Sequence, residues 1–200
     1  MKQTIYFVSG PAGVGKSTTA VRLVQSIERS AYISGDDISH IPVNGRGRPW
    51  LCEETLNLTW KNILDISRNL IGVNYNVVID YVTFNKDVEM FLEGIKDLNV
   101  RIIFVILMAD EETIIYRDKL RPIENQMGER SLILLREFKE SITDERYVLE
   151  TQNYKEDEIH KIVEDIKNNL KYLVVADSRS SSCIRETLYE TSAINKTYVE

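Results

Sequence analysis

The sequence predicts an α/β domain, a doubly wound sheet of five parallel strands with helices on both faces to make three layers. Three observations predict it. Val77-Val78-Ile79-Asp80 and the run from Val100 to Met108 are almost continuously apolar, as strands are when helices cover them on both sides. Segments of helical periodicity separate the strand candidates, so the chain alternates strand and helix, the pattern of a parallel sheet. The first strand candidate breaks abruptly into a glycine-rich turn that opens a helix.

Each element follows from local pattern. Thr4 to Ser9 is β-branched and aromatic and reads as strand one. Lys16 begins a helix whose Ala20, Val21, Leu23, Val24 and Ile27 mark one broad face, continuing to about Arg29. Ala31 to Ser34 is a short second strand, followed by a turn-rich stretch, Asp36 to Trp50, with the character of a binding loop. Glu53 to Ile71 has helical spacing, with Leu56, Trp60, Ile63, Leu64 and Leu70 pointing inward and Gly72 ending it. Strand three is Val77 to Asp80, a helix follows around Asp87 to Leu98, and strand four ends at Met108. A charged helix from about Glu111 to Leu120, a polar segment Arg121 to Glu129, and a helix from Arg130 to about Ser141 come next. Tyr147 to Glu150 is strand five, and Lys155 to Leu173 returns to helical periodicity through Ile159, Ile162, Val163, Ile166 and Leu170. Residues 1–175 thus form one domain, while 176–200, rich in Ser and Thr with little periodicity, read as a mobile tail.

Composition narrows the function. A chain of 200 residues with 43% apolar and 28% charged residues is that of an ordinary globular domain. Its net charge of −6 and the lack of a basic stripe argue against a duplex nucleic acid as partner. No apolar run reaches bilayer length, and the N-terminus lacks the apolar stretch of a signal peptide. Two cysteines, Cys52 and Cys183, without metal-like spacing to His40 or His160, imply neither a disulfide framework nor zinc. A cytoplasmic protein, monomeric or dimeric and away from membranes, is the expectation.

Gly10-Pro11-Ala12-Gly13-Val14-Gly15-Lys16-Ser17 satisfies the spacing G-x-x-x-x-G-K-[ST], in which every position has a physical task. Glycines let backbone N–H groups approach phosphate oxygens, and the positive end of the following helix dipole adds to them. Lys16 supplies a point charge for the β- and γ-phosphates, the Ser17 hydroxyl a ligand for Mg²⁺, and Thr18 support for the α- or β-phosphate. Mg-ATP is the expected cofactor pair. The loop alone does not separate kinases from hydrolytic switches and motors.

Further residues make that choice. Gly35-Asp36-Asp37 follows strand two, which places carboxylates at the C-terminal edge of the sheet where open α/β folds bind ligands. Asp36 is the candidate base for an acceptor hydroxyl, with Asp37 and His40 as acceptor contacts; a helix cap or Asx turn is the competing use of such a pair. Asp80, ending an apolar strand, suits Mg²⁺ or substrate. Arg117 and Arg121 lie four apart on one predicted helix face before a lid segment, Pro122 to Gly128, placed to neutralise charge on a transferred phosphoryl group. Their competing use is a solvated face paired with Glu111, Glu112 or Asp118, and Arg130 is a third arginine of the same kind. Arg46 and Arg48, in Gly45-Arg46-Gly47-Arg48-Pro49-Trp50, combine charge and an aromatic in the acceptor loop.

On Gly10 to Ser17, Gly35-Asp36, Val78-Ile79-Asp80 and Arg117 with Arg121, the chain resembles the small-molecule and nucleotide kinases of the P-loop class, among them gluconate and shikimate kinases, chloramphenicol phosphotransferases and polynucleotide kinases. The resemblance spans about Lys2 to Leu173. It implies a P-loop fold with a kinase-type lid, an acceptor-activating role for Asp36, and an adenine border in the turn after strand five at Thr151, Gln152 and Asn153. Gluconate kinases show Gly-Asp, two residues, then His-Pro, whereas here His40 stands four after Asp36 and Ile41 separates it from Pro42. The expected activity is transfer of the ATP γ-phosphoryl group to a hydroxyl of a small molecule. The alternatives are a nucleotide-dependent switch acting on a partner and a kinase of nucleic-acid ends.

Overall fold

A computed structural model describes residues 2–174. Its sheet is built on β1 (Thr4–Ser9), every residue of which is buried. On one side β1 pairs with β3 (Asn76–Asp80), and β3 pairs with the edge strand β2 (Ser30–Ser34). On the other side lie β4 (Arg101–Met108) and β5 (Val148–Glu150), giving the order β2-β3-β1-β4-β5 with all strands parallel. The predicted five-stranded parallel sheet is therefore present. Its register sets Val8 and Ser34 both opposite Asp80, so the C-terminal ends of β1, β2 and β3 open on the same edge.

Among the described residues the helices are α1 (Lys16–Gln25), α2 (Gly35–His40), α3 (Glu53–Gly72), α4 (Asn85–Gly94), α5 (Glu111–Lys119), α6 (Glu129–Ser141) and α7 (Ile159–Asn168). Phe7, fully buried at the centre of β1, meets Phe91 of α4 edge-on at 5.0 Å and Trp60 of α3 and Phe104 of β4 at 6.4 Å each. Aromatic pairs of this geometry stabilise beyond their area of burial. The last turn of β1 is tied to the loop after β3, where Ser9 Oγ donates to the Thr83 carbonyl at 2.7 Å and accepts the Thr83 N–H at 2.8 Å.

Three expectations needed correction. The stretch after β2 is not loop from its start, because Ser34 Oγ accepts the Asp37 N–H at 3.1 Å and caps the short helix α2. On α3, Trp60 and Ile63 are buried as expected and Leu56, Leu64 and Leu70 pack against the core half-buried, leaving the other fully buried places to different residues. Thr55, Thr59 and Ser67 lie inside instead, Thr59 and Ser67 by donating their hydroxyls back to Thr55 and Ile63 carbonyls. The last helix is shorter than its periodicity: the chain leaves α7 at Asn169, and Leu170 is 69% exposed. Tyr172 takes the inward place, buried with its hydroxyl donating to Asp165 at 2.7 Å. The Ser/Thr-rich stretch 176–200 lies outside the described residues.

Candidate active site

The turn between β1 and α1 depends on glycine. Gly10, Gly13 and Gly15 have φ of 133°, 85° and 101°, values that disfavour any side chain, and a Cβ on Gly10 would stand 2.2 Å from the Leu107 carbonyl oxygen. At Gly15 nothing lies within 4 Å of that position, which leaves open space over the loop. Helix α1 starts without a side-chain cap and with no acidic residue in its first turn. Its leading amides are thus free of competing protein carboxylates, and an anion can take the positive end of the dipole.

Lys16, at the first position of α1, donates to the Pro11 carbonyl at 2.9 Å. Burial pulls its ammonium pKa down to about 8, against the opposing fields of Asp80 and Asp36, while Arg121 pushes it further down. Four charges from separate segments thus share one electrostatic neighbourhood: Lys16, Asp36, Asp80 and Arg121.

Asp80, at the end of β3, is 7% exposed, and Tyr32 from β2 donates its hydroxyl to Oδ2 at 2.7 Å. Among the described residues no group of three or more His, Cys, Asp or Glu side chains is placed to hold a metal unaided. Asp80 and the Ser17 hydroxyl fit Mg²⁺ better than a dedicated cage would, because Mg²⁺ keeps waters and takes substrate phosphates as ligands. Gln152, after β5, fits a nucleotide base: its side-chain oxygen is buried with no hydrogen-bond partner, an arrangement that calls for an external donor.

Asp36 stands in the first turn of α2, where the chain runs against Tyr81. A Cβ on Gly35 would lie 2.2 Å from that ring, so the glycine before Asp36 is required by close approach. Desolvation pushes the Asp36 carboxyl pKa up and Lys16 opposes it; the side chain is open to solvent, which limits the push. The same carboxylate helps raise the pKa of the buried Tyr81 to about 12, after burial itself. His40, four residues on and so on the same face of α2, has its Nδ1 2.6 Å from the Asp36 backbone carbonyl oxygen, and its charge opposes the rise in the Asp36 pKa.

The acceptor-loop arginines are partly committed to protein. Arg46 donates to the Ser39 carbonyl at 2.6 Å and to Ser39 Oγ at 3.1 Å. The Arg48 guanidinium lies 5.8 Å from the Trp50 ring centroid, and Arg130 of α6 lies 5.7 Å from it, itself paired with Glu137 at 2.7 Å. Trp50 therefore sits between the acceptor loop and α6.

Arg117 and Arg121 have different partners. Helix α5 ends at Lys119 with Leu120 as its cap, so Arg121 leaves the helical face that the spacing assumed. Arg117 turns inward, donating to the Val14 carbonyl at 3.0 Å, Thr151 Oγ1 at 3.1 Å and the Thr151 carbonyl at 2.9 Å. It ties the phosphate loop to the turn after β5, whereas Arg121 lies 3.8 Å from Asp118 and donates to the Asn125 carbonyl at 3.4 Å, its charge still felt at Lys16. Tyr32, which looks like any strand tyrosine, escaped the sequence, and Asp118, foreseen only as a surface partner of the arginines, is buried. The buried Asp118 carboxylate accepts the Met127 N–H at 3.1 Å and the Gly128 N–H at 2.8 Å, anchoring the far end of the lid segment.

Residues 5–142 match the AAA domain family. The chain belongs to that family. This AAA domain shares its fold with the tunicamycin resistance protein of Deinococcus radiodurans, at a TM-score of 0.57 and 17% identity over 88% of this chain and 99% of that one. A gluconokinase from Sinorhizobium meliloti 1021 superposes at 0.57 and 17% identity, over 82% of this chain and 89% of its own. The APS kinase CysC of Mycobacterium tuberculosis, in complex with AMPPNP and APS, gives 0.58 and 13% identity over 83% and 98%. These likenesses establish the P-loop kinase fold for this AAA domain. No curated protein matches it in sequence. Among the described residues no helix of the AAA domain is long and apolar enough to cross a membrane.

Proposed function

We propose that the protein is a phosphotransferase that moves the γ-phosphoryl group of Mg-ATP to a hydroxyl of a small-molecule acceptor in the cytoplasm. The observation that carries this reading is that Asp36 directly follows β2 and Asp80 ends β3 on the edge where the glycine loop opens into Lys16, with Arg121 in the same electrostatic field. A hydrolytic switch has no need of a carboxylate facing the phosphate lysine from the acceptor side, and a kinase does.

The glycine loop, from Gly10 to Gly15, and the first amides of α1 hold the phosphate oxygens, with Ser17 and Thr18 continuing the cradle. Lys16 turns from the Pro11 carbonyl to the β- and γ-phosphates. Ser17 and Asp80 would hold Mg²⁺, which would supply positive charge to offset that of the phosphates. Asp36 takes the proton of the acceptor hydroxyl as its oxygen bonds to the γ-phosphorus and the bond to the ADP oxygen breaks. Arg121 neutralises charge on the phosphoryl group in flight, and Arg117 acts by positioning, through Val14 and Thr151. Gln152 borders the adenine, while Asp37, His40, Arg46 and Arg48 line the acceptor side. That an APS kinase of this fold binds AMPPNP supports the placing of the nucleotide.

The test is Mg-ATP turnover against sugars, sugar acids, nucleosides, aminoglycosides and oligonucleotide ends, with product identified by mass. A phosphorylated acceptor that disappears in Lys16→Ala and in Asp36→Asn is the expected result. Slow hydrolysis that no acceptor stimulates and that survives Asp36→Asn would overturn the reading in favour of a switch.

A further inference from the structure

We propose that Tyr32 is a positioning residue for the Mg²⁺-facing carboxylate of Asp80, an inference that rests on the metal role given to Asp80 above. Tyr32 lies opposite Val78 and Ser34 opposite Asp80 in the β2–β3 register, so Tyr32 and Asp80 are diagonal neighbours on one face of the sheet, within reach of a long side chain. The Tyr32 hydroxyl donates to Asp80 Oδ2 at 2.7 Å. Among the described residues it is the only side-chain hydrogen bond to that carboxylate.

An ionised carboxylate accepts and never donates. Fixing one oxygen with a phenol leaves the other aimed along a single direction, which is what a hard cation with strict octahedral geometry requires. Without the phenol, a carboxylate only 7% exposed would be left to the field of Lys16. That lysine would then be drawn from the phosphates. A phenol keeps its proton at neutral pH, so the hydroxyl remains a donor. Tyr32 is 37% exposed on an edge strand, where loss of one oxygen leaves core packing untouched.

The experiment is calorimetric binding of ADP at a series of Mg²⁺ concentrations, which needs no acceptor. Tyr32→Phe is expected to raise the Mg²⁺ concentration for half-maximal enhancement about tenfold, as loss of an outer-shell partner does, with Mg²⁺-free ADP affinity within about twofold of wild type. In an Asp80→Asn background, adding Tyr32→Phe should change nothing further. An unchanged Mg²⁺ response in Tyr32→Phe, or an equal loss with and without Mg²⁺, would sink the role of Tyr32 while leaving Asp80 in place. A wild-type protein whose ADP binding ignores Mg²⁺ would overturn both.

Discussion

The Arg117 guanidinium grips Thr151 at two points, its carbonyl at 2.9 Å and its hydroxyl at 3.1 Å, while also holding the Val14 carbonyl at 3.0 Å. One side chain from α5 thereby joins the middle of the phosphate loop to the turn beyond β5. Thr151 is itself anchored, its N–H donating to the Met108 carbonyl at 2.7 Å.

Arg117→Met keeps the aliphatic stem and removes this clasp. The phosphate loop and the turn after β5 should then move independently, and ADP affinity should fall about tenfold, roughly 1.4 kcal/mol. Calorimetry would measure it. An affinity equal to wild type would show that the two segments hold their spacing without Arg117.

Asp118 is predicted to matter for stability more than for chemistry. Asp118→Ala strands the Met127 and Gly128 N–H groups beside a buried gap, a loss of about 2–3 kcal/mol for charge-assisted bonds. Denaturant titration should show a lower midpoint at constant slope, and limited proteolysis should cut the lid segment faster.

Lys16 gives a pH dependence of definite sign. Its folded pKa, about 8, lies below the ordinary 10.5, so between those values the unfolded chain binds more protons and stability rises with pH. The charged lysine is a penalty that is fully present below about pH 8. Lys16→Met should therefore stabilise the ligand-free protein at neutral pH, by about 1 kcal/mol once solvent screening is allowed for, seen as a higher Tm, while nucleotide binding is lost. For wild type, ADP affinity should fall about tenfold between pH 7 and 9 as the free-state lysine loses its proton. A flat profile over that range would contradict the placement of Lys16 on the phosphates.

Trp50 and Trp60 are the two tryptophans of the chain, one 48% exposed between Arg48 and Arg130, the other buried against Phe7 and Tyr81. Acrylamide should quench Trp50 selectively, and acceptor binding should protect it. Trp50→Ala should cost about 1 kcal/mol for two exposed cation–π contacts and raise the acceptor KM while leaving the ATP KM unchanged.

Much of this molecule is written locally. The strands, the glycine loop and the carboxylates Asp36 and Asp80 at strand ends follow from periodicity and from motif spacing, since each depends on residues within a few positions of one another. The fold class and the phosphate site were decided by the sequence alone for that reason. What a side chain meets across the sheet was decided only by tertiary structure. Arg117 and Arg121 look equivalent at a spacing of four until helix α5 ends at Lys119 and sends them apart. Leu170 fits a helical stripe until the chain turns at Asn169 and Tyr172 takes the buried place. Tyr32 carries no mark of its bond to Asp80, because the register of two strands 48 residues apart in sequence creates it. Burial and long-range register are properties of the assembled layers, and they alone assign these side chains to the phosphate site, the lid or the core.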